Sequence, residues 1–351
     1  MATRHSCMKI VEGPQGATPT TKRQRQPILE LPPTPGFEVS AELDEAAMLD
    51  LTRRLKDSMV PPDQSNFRVA CLCTFRHEGR LRAIAGANSE PCELCGALCA
   101  ERSALVQLRL MPLAPTVESV YIVADSEEPI TPGMLCREYM SDTYCTPETK
   151  VVTAGAAERP LVRATLGALL PCPPLLQRVA RADITATAER LGNVGAAGVD
   201  RFFASAGEAG RRLERLFARL VLHTTAETHA AALHPLRLAA GLLLPDGSEA
   251  IAAQHQALEY GGSVHPVTLL CAQLRDRRSA AAAKIPAGSW LMVVDQFGNL
   301  HPPSGTARAM LVETGWEALR VLVHDKQGAV QSHTAAELAP MVPRLAELLG
   351  D

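Results

Sequence analysis

The sequence predicts an α/β layered fold, a mixed sheet flanked by helices, present twice in tandem. Three observations predict it. Helical and strand periodicities alternate from about residue 41 to 178, the same order of elements returns between 211 and 351, and an Ala/Gly-rich stretch over 179–210 joins the halves. At 351 residues the chain has room for two domains of ~150 residues each. A hydrophobic fraction of 46% with 21% charged residues is that of a globular protein able to bury a core. The net charge of -3 supplies no basic footprint, so no strong nucleic-acid partner is expected. No apolar run approaches the ~18 residues that would span a membrane. Met1 to Gln26 is polar and basic, without the apolar centre of a signal peptide. Seven of the ten cysteines fall between Cys71 and Cys145, and thiols clustered in a chain of this size argue for a reducing compartment, hence the cytoplasm.

Residues 1–40, rich in Pro, Thr, Gln and Gly and lacking an apolar period, read as a disordered tail in which Lys22–Arg25 is a solvated charge run. From Ala41 to Met59, Leu43, Ala47, Leu51 and Leu55 recur at helical spacing until Pro61-Pro62 stops them. Phe67–Phe75 and Leu81–Ala87 read as strands about a turn at Gly79, followed by a helix over Cys99–Leu110. Val120–Ala124 reads as a buried strand, Cys136–Tyr144 as a helix and Lys150–Ala154 as another strand.

The order then repeats. Leu213–His223 is the opening helix, Leu236–Leu243 answers Phe67–Cys73, Asp246-Gly247 is the matching turn and Glu259 answers Glu90. Trp290–Asp295 answers Tyr121–Asp125, Pro303–Arg308 answers Pro132–Arg137, and Thr334–Pro340 echoes Thr165–Pro171. Five echoes in one order make a repeat, giving a tail (1–40), a first domain (41–178), a connector (179–210) and a second domain (211–351).

Leu98-Cys99-Ala100-Glu101-Arg102, followed by Pro132-Gly133-Met134-Leu135-Cys136, sets a thiol beside a carboxylate at one helix start and a second thiol near another. Zinc-dependent nucleobase deaminases carry His or Cys, then Ala-Glu, then Pro-Cys-x-x-Cys. The first repeat resembles the cytidine deaminase family from the helix at Ala41 to Leu169-Leu170-Pro171. The stretch from Gly86-Ala87-Asn88-Ser89-Glu90 through Cys99-Ala100-Glu101-Arg102 fits that family without a gap. The two-repeat layout is similar to the branch whose subunits carry one working and one degenerate domain.

The resemblance implies the three-layer cytidine deaminase-like fold, a bound Zn2+ ion, and Cys99 and Cys136 as its ligands. Glu101 is then the catalytic proton shuttle, and Arg102 donates to the zinc-bound sulfurs and damps their charge. Asn88 and Glu90 match the pair that binds the ribose hydroxyls, and Phe67 stands where the family places an aromatic against the base. The chemistry needs these types: zinc makes a strong nucleophile available at neutral pH, and a carboxylate moves protons to the ring and the leaving ammonia. A helix start favours the thiolate that zinc requires.

Gly133 departs from the pattern, because it has no side chain where a ligand is expected and catalytic zinc normally takes three protein ligands. Cys92 and Cys95 are the nearby thiols, and Cys92, directly after the ribose-binding stretch, is taken as the third ligand. The other reading of both is as small apolar residues. In the second repeat Leu236 replaces Phe67, Ser304 and Ala307 stand at ligand positions, and Cys271-Ala272-Gln273 reads as a damaged Cys-Ala-Glu. That domain is expected to bind no zinc and to pack against the first in place of a partner subunit.

The expected function is zinc-dependent hydrolytic deamination of cytidine and deoxycytidine in pyrimidine salvage, by a homodimer with a free nucleoside as substrate. Two alternatives stay open: a pseudo-deaminase that binds a nucleoside or a partner without turnover, and a deaminase acting on nucleotide or RNA.

Overall fold

The computed structural model describes residues 35–92, 96–111, 113–157, 160–226, 234–257, 262–277 and 285–343. Order begins earlier than residue 41, because strand β1 (Phe37–Glu38) pairs antiparallel with Arg82 and Ala83. Helix α1 (Glu45–Ser58) starts where the Asp44 carboxylate accepts from the Ala47 amide at 2.9 Å. Its apolar face, through Met48 and Leu49, lies on one side of the first sheet.

Strands β2 (Val69–His77) and β3 (Arg80–Ala87) form a hairpin whose two turn residues, Glu78 and Gly79, both have positive φ, 51° and 77°. That pair of left-handed residues matches the twist of the strands, which is why a glycine sits there. Helix α2 (Ala100–Gln107), strand β4 (Val117–Ala124), helix α3 (Met134–Asp142) and strand β5 (Cys145–Ala154) follow. Strand β6 (Leu161–Thr165) and the single-turn helix α4 (Leu166–Leu169) close the first half. β6 is absent from the sequence reading because Leu161-Val162-Arg163-Ala164-Thr165 is an edge strand that the alternating burial of a core strand does not mark.

The Ala/Gly-rich connector carries a helix, α5 (Ile184–Ser205), which leads into α6 (Gly207–Ala226). Its glycines have a packing role. Gly192, Gly195 and Gly198 are buried at three-residue spacing. A Cβ at Gly192 would overlap the Phe297 carbonyl, one at Gly195 would lie 2.7 Å from the His324 ring, and one at Gly198 would lie 2.6 Å from the Gly328 carbonyl. Only glycine lets the helix backbone come so close to these loops.

The second half continues with β7 (Leu238–Leu243), β8 (Glu249–Ala253), α7 (Pro266–Arg277) and β9 (Trp290–Asp295). It ends with α8 (Gly305–Glu313), β10 (Arg320–His324), β11 (Val330–Thr334) and α9 (Ala335–Leu338).

Two mixed sheets result, ordered β1-β3-β2-β4-β5-β6 and β11-β10-β9-β7-β8. Leaving β1 aside, the order is the same in both. So are the directions: β2/β3, β2/β4 and β5/β6 are antiparallel with β4/β5 parallel, as are β7/β8, β7/β9, β10/β11 and β9/β10 in turn.

The halves meet through α3 and α8. The Gly305 amide donates to Glu138 Oε2 at 2.9 Å, and a Cβ on Gly305 would stand 2.5 Å from the Met134 carbonyl. Two buried arginines bind across the contact. Arg137 donates to the carbonyls of Pro132 and Leu169 in its own half and of Pro340 and Met341 in the other. Arg308 answers with Pro303 and Leu338 in its own half and Pro171 and Cys172 in the other. Burial lowers both guanidinium pKa values to about 10, so both stay charged at neutral pH. Met341 and Cys172, each held by the opposite arginine, share a positive φ of 53° and 48°. The apolar core crosses the same contact, with Val312 and Ala339 packed into the cluster around Phe75 and Leu105. Among the described residues no helix is long and apolar enough to cross a membrane.

Candidate active site

A cavity of about 250 Å³ opens at the ends of β2, β3 and β4, where α2 and α3 begin. Phe67, Asn88, Glu90, Cys99, Glu101 and Gly133 all line it. An antiparallel bridge between Ser89 and Leu98 pins the intervening loop and delivers Cys99 as the residue that caps α2. Gly133 caps α3 in extended conformation, φ -60° and ψ 157°, and this sets Cys136 in the first turn. Two helix starts therefore converge.

Cys99 Sγ, a Glu101 carboxylate oxygen and Cys136 Sγ lie within 4.8 Å of one another. Glu101 and Cys136 are buried and Cys99 is half-buried. The Arg102 guanidinium stands 3.7 Å from Cys99 Sγ and is held in place by the Ala97 carbonyl at 2.9 Å.

The electrostatics follow from this crowding. Hydrogen bonding from Cys136 and the charge of Arg102 outweigh burial and bring the Cys99 thiol down to about 6. Cys136, donor to Cys99 and buried, is pushed up. Burial and the neighbouring Cys99 charge raise Glu101 to about 7. A carboxyl poised near neutrality can both give and take a proton, as a general acid–base group must. Strongly shifted groups clustered in a cleft are a mark of functional sites.

Asn88 and Glu90 are braced. Asn88 accepts from the Val69 amide and donates to the Phe67 carbonyl, each at 2.8 Å, and donates to Glu90 Oε1 at 3.2 Å. The Ser65 amide donates to Glu90 Oε2 at 3.0 Å. Phe67 is half-buried on the cavity wall. The wall also takes Pro343 from the far end of the second half, beside the Met341 carbonyl that accepts from Thr131 and Arg137.

Cys92 is not brought in. It is exposed on the loop beyond the Ser89–Leu98 bridge and stands outside the Cys99–Glu101–Cys136 group. The cluster in this structure thus forms from Cys99, Glu101 and Cys136 without the third ligand read at Cys92. Cys95 lies outside the described residues. A Cβ at Gly133 would meet nothing within 4 Å, so the position has room for a side chain.

The donor set suits zinc. Two sulfurs each ~2.3 Å from one ion must lie less than ~4.6 Å apart, which the spacing here allows, and thiolates are the softer ligands zinc accepts.

The second half corrects three correspondences. The Gln254 amide donates to Leu238 as the Asn88 amide does to Val69, and the bridge His255–Val264 repeats Ser89–Leu98. The residues answering Cys99-Ala100-Glu101 are therefore His265-Pro266-Val267 at the start of α7. Cys271-Ala272-Gln273 lies further along that helix, with Cys271 buried and Gln273 exposed. The place of Glu90 falls to Gln256, while Glu259 lies outside the described residues.

Because Val69 pairs with Ala124 and Leu238 with Asp295, Asp295 stands in the place of Ala124, one residue from the expected match. Asp295 accepts from Asn299 at 2.9 Å and bonds His301 at 2.9 Å, so buried polar side chains stand where the first half has Ala124 and Ile130 on its cavity wall. The histidine at 265 escaped the sequence reading, although the helix-starting Pro266 beside it marks the register.

Fold and site together define an α/β protein with a thiolate–carboxylate candidate metal centre at two helix starts. Among solved structures, the chain is similar to the cytidine deaminase of Burkholderia pseudomallei at 22% identity, over 37% of this chain and 99% of that one, with a TM-score of 0.33. The cytidine deaminase of Mycobacterium tuberculosis aligns at 19% identity over 37% and 98%, with a TM-score of 0.31. That of Mycobacterium leprae aligns at 28% identity over 35% and 96%, with a TM-score of 0.27. No protein-family model matches the chain. No curated protein matches it either.

Proposed function

We propose that the first half is a zinc-dependent deaminase of free cytosine nucleosides, cytidine and deoxycytidine, and that the second half is a non-catalytic partner domain. The observation that carries this reading is the convergence of Cys99, Glu101 and Cys136 within 4.8 Å on a cavity that also holds Asn88 and Glu90. A zinc ion held by Cys99 and Cys136 would supply an activated nucleophile at neutral pH.

The chain's own residues do the rest. Asn88 and the Glu90 carboxylate receive the sugar hydroxyls, and their mutual bond orients both for that task. Phe67 packs on the base. Glu101 takes one proton from the attacking water and delivers it to the ring nitrogen, then takes the second from the hydroxyl now on C4 and delivers it to the amine, which leaves as ammonia while the C4 carbonyl forms. Arg102 offsets the sulfur charge. Pro343 and the segment that Arg137 holds close the cavity from the second half. The location proposed is the cytoplasm, with two chains as the assembly.

A second reading has Gly133 in its favour: a protein that binds nucleoside without turnover. Ammonia release separates them. Purified zinc-supplemented protein is expected to release ammonia from cytidine and deoxycytidine, with little release from cytidine monophosphate or an oligonucleotide. Saturable cytidine binding with no ammonia would establish the binder, and preference for nucleotide or RNA would move the substrate class.

A further inference from the structure

Three features of the first-half centre meet at one spot. Gly133 leaves open space on the cavity that it lines together with Cys99, and its backbone angles are ones any residue adopts. Gly133 gives no side-chain cap to helix α3, whereas its counterpart Ser304 caps α8 by accepting from the Ala307 amide at 3.4 Å. The Cys136 amide, the counterpart of Ala307, is a first-turn donor facing that uncapped position, and helix starts favour an anion there. Finally, two thiolates merely neutralise a divalent ion, yet Arg102 still stands 3.7 Å from Cys99 Sγ. A further anionic donor would give that guanidinium a negative cluster to offset.

We propose that the zinc centre of this chain is completed by a small-molecule thiolate seated in the space at Gly133, so that its occupancy follows the supply of low-molecular-weight thiol. The inference rests on the zinc reading above. A free thiol releases its proton to solvent as its sulfur bonds the ion and a water departs, so no oxidant or reductant is needed. A thiolate suits the spot for two reasons. Sulfur matches the softness of a two-cysteine zinc site. The cavity that Gly133 lines also carries the apolar side chains of Val69, Ile122, Ala124 and Ile130, which can meet a short hydrocarbon.

The test measures zinc affinity at fixed, chelator-buffered free zinc. 2-mercaptoethanol is compared with a phosphine reductant that offers no sulfur, and the zinc–sulfur coordination number is read by X-ray absorption. Wild-type protein is expected to bind zinc roughly tenfold or more tightly with the thiol, the scale on which one ligand-sphere contact acts. The sulfur count should rise from two to three.

Gly133→Cys, which meets no steric obstacle, should bind tightly in either reductant with three sulfurs throughout. Equal affinity of the wild type in both reductants, or three sulfurs in phosphine alone, overturns the proposal while leaving the zinc centre intact. If neither wild type nor Gly133→Cys takes up zinc, the zinc reading fails and this inference with it.

Discussion

Glu101 is the residue on which the proposed chemistry turns. It is a buried carboxyl, raised to about 7, within reach of both sulfurs. Glu101→Gln keeps the shape of the side chain and removes the titrating proton. The variant is expected to fold, to bind zinc as the wild type does, and to lose ~100-fold or more in turnover; a variant retaining most of its rate would remove Glu101 from the proton path. The pair Cys99 and Glu101 was legible in the sequence because both fall in one short motif. The openness at Gly133 and the exposure of Cys92 were not, since both depend on how segments distant in sequence pack in space. His265 was hidden for the same reason: its correspondence to Cys99 is a matter of hydrogen-bond register, which a six-residue offset in the sequence obscures.

At the scale of elements, packing decides what composition suggests. The Ala/Gly content of 179–210 reads as a connector, yet α5 uses three of its glycines to bring its backbone against the second half. Gly192→Ala sets two effects against each other. Alanine favours a helix interior by about 1 kcal/mol over glycine, but the new methyl would overlap the Phe297 carbonyl, and overpacking costs about 1–3 kcal/mol. A backbone atom cannot swing aside, so the clash wins and urea denaturation should show net destabilisation; a neutral or stabilising result would mean the helix can shift away. Arg137 sits at the other junction. Arg137→Ala leaves four carbonyls, two of them in buried bonds, without their charged donor and should cost about 3 kcal/mol in the same assay. Loosening Met341 and Pro343 should also raise KM for cytidine more than it lowers kcat. Strands β2 to β5, β7 and β9 were legible through their apolar runs, whereas β1, β6, β8, β10 and β11 went unread; β6 is a half-buried edge whose residues carry no clear period.

For the whole molecule, two sheets of the same topology share a core across α3 and α8, so the halves should stand or fall together. A chain cut near Gly210 would expose the apolar face now covered by Val312 and Ala339. Aggregation or self-association is the expected outcome in size-exclusion chromatography; a monomeric and fully active fragment would show that the second half is dispensable. Acid should act through that second half. Burial, with the charge of His301 adding to it, lowers His324 to about 4 and His265 to about 3. Both bind protons more readily unfolded, near 6.5, than folded. Their contribution to stability is therefore complete above about pH 6.5 and is lost as pH falls toward 4 and then 3. Thermal melts should decline across that window, and His324→Asn, which keeps an acceptor for the Leu300 amide, should flatten the decline. Unchanged pH dependence in that variant would shift the acid sensitivity to other groups.

The proposed function requires that the first half hold a metal centre built on Cys99 and Cys136 and that the second half hold none. Native mass spectrometry of the intact chain, purified with zinc and a small thiol, tests it most directly. One zinc per chain is expected for the wild type and none for Cys136→Ser, with both proteins folded. A folded wild type carrying no zinc, two zinc ions per chain, or a Cys136→Ser variant that keeps its zinc would contradict it.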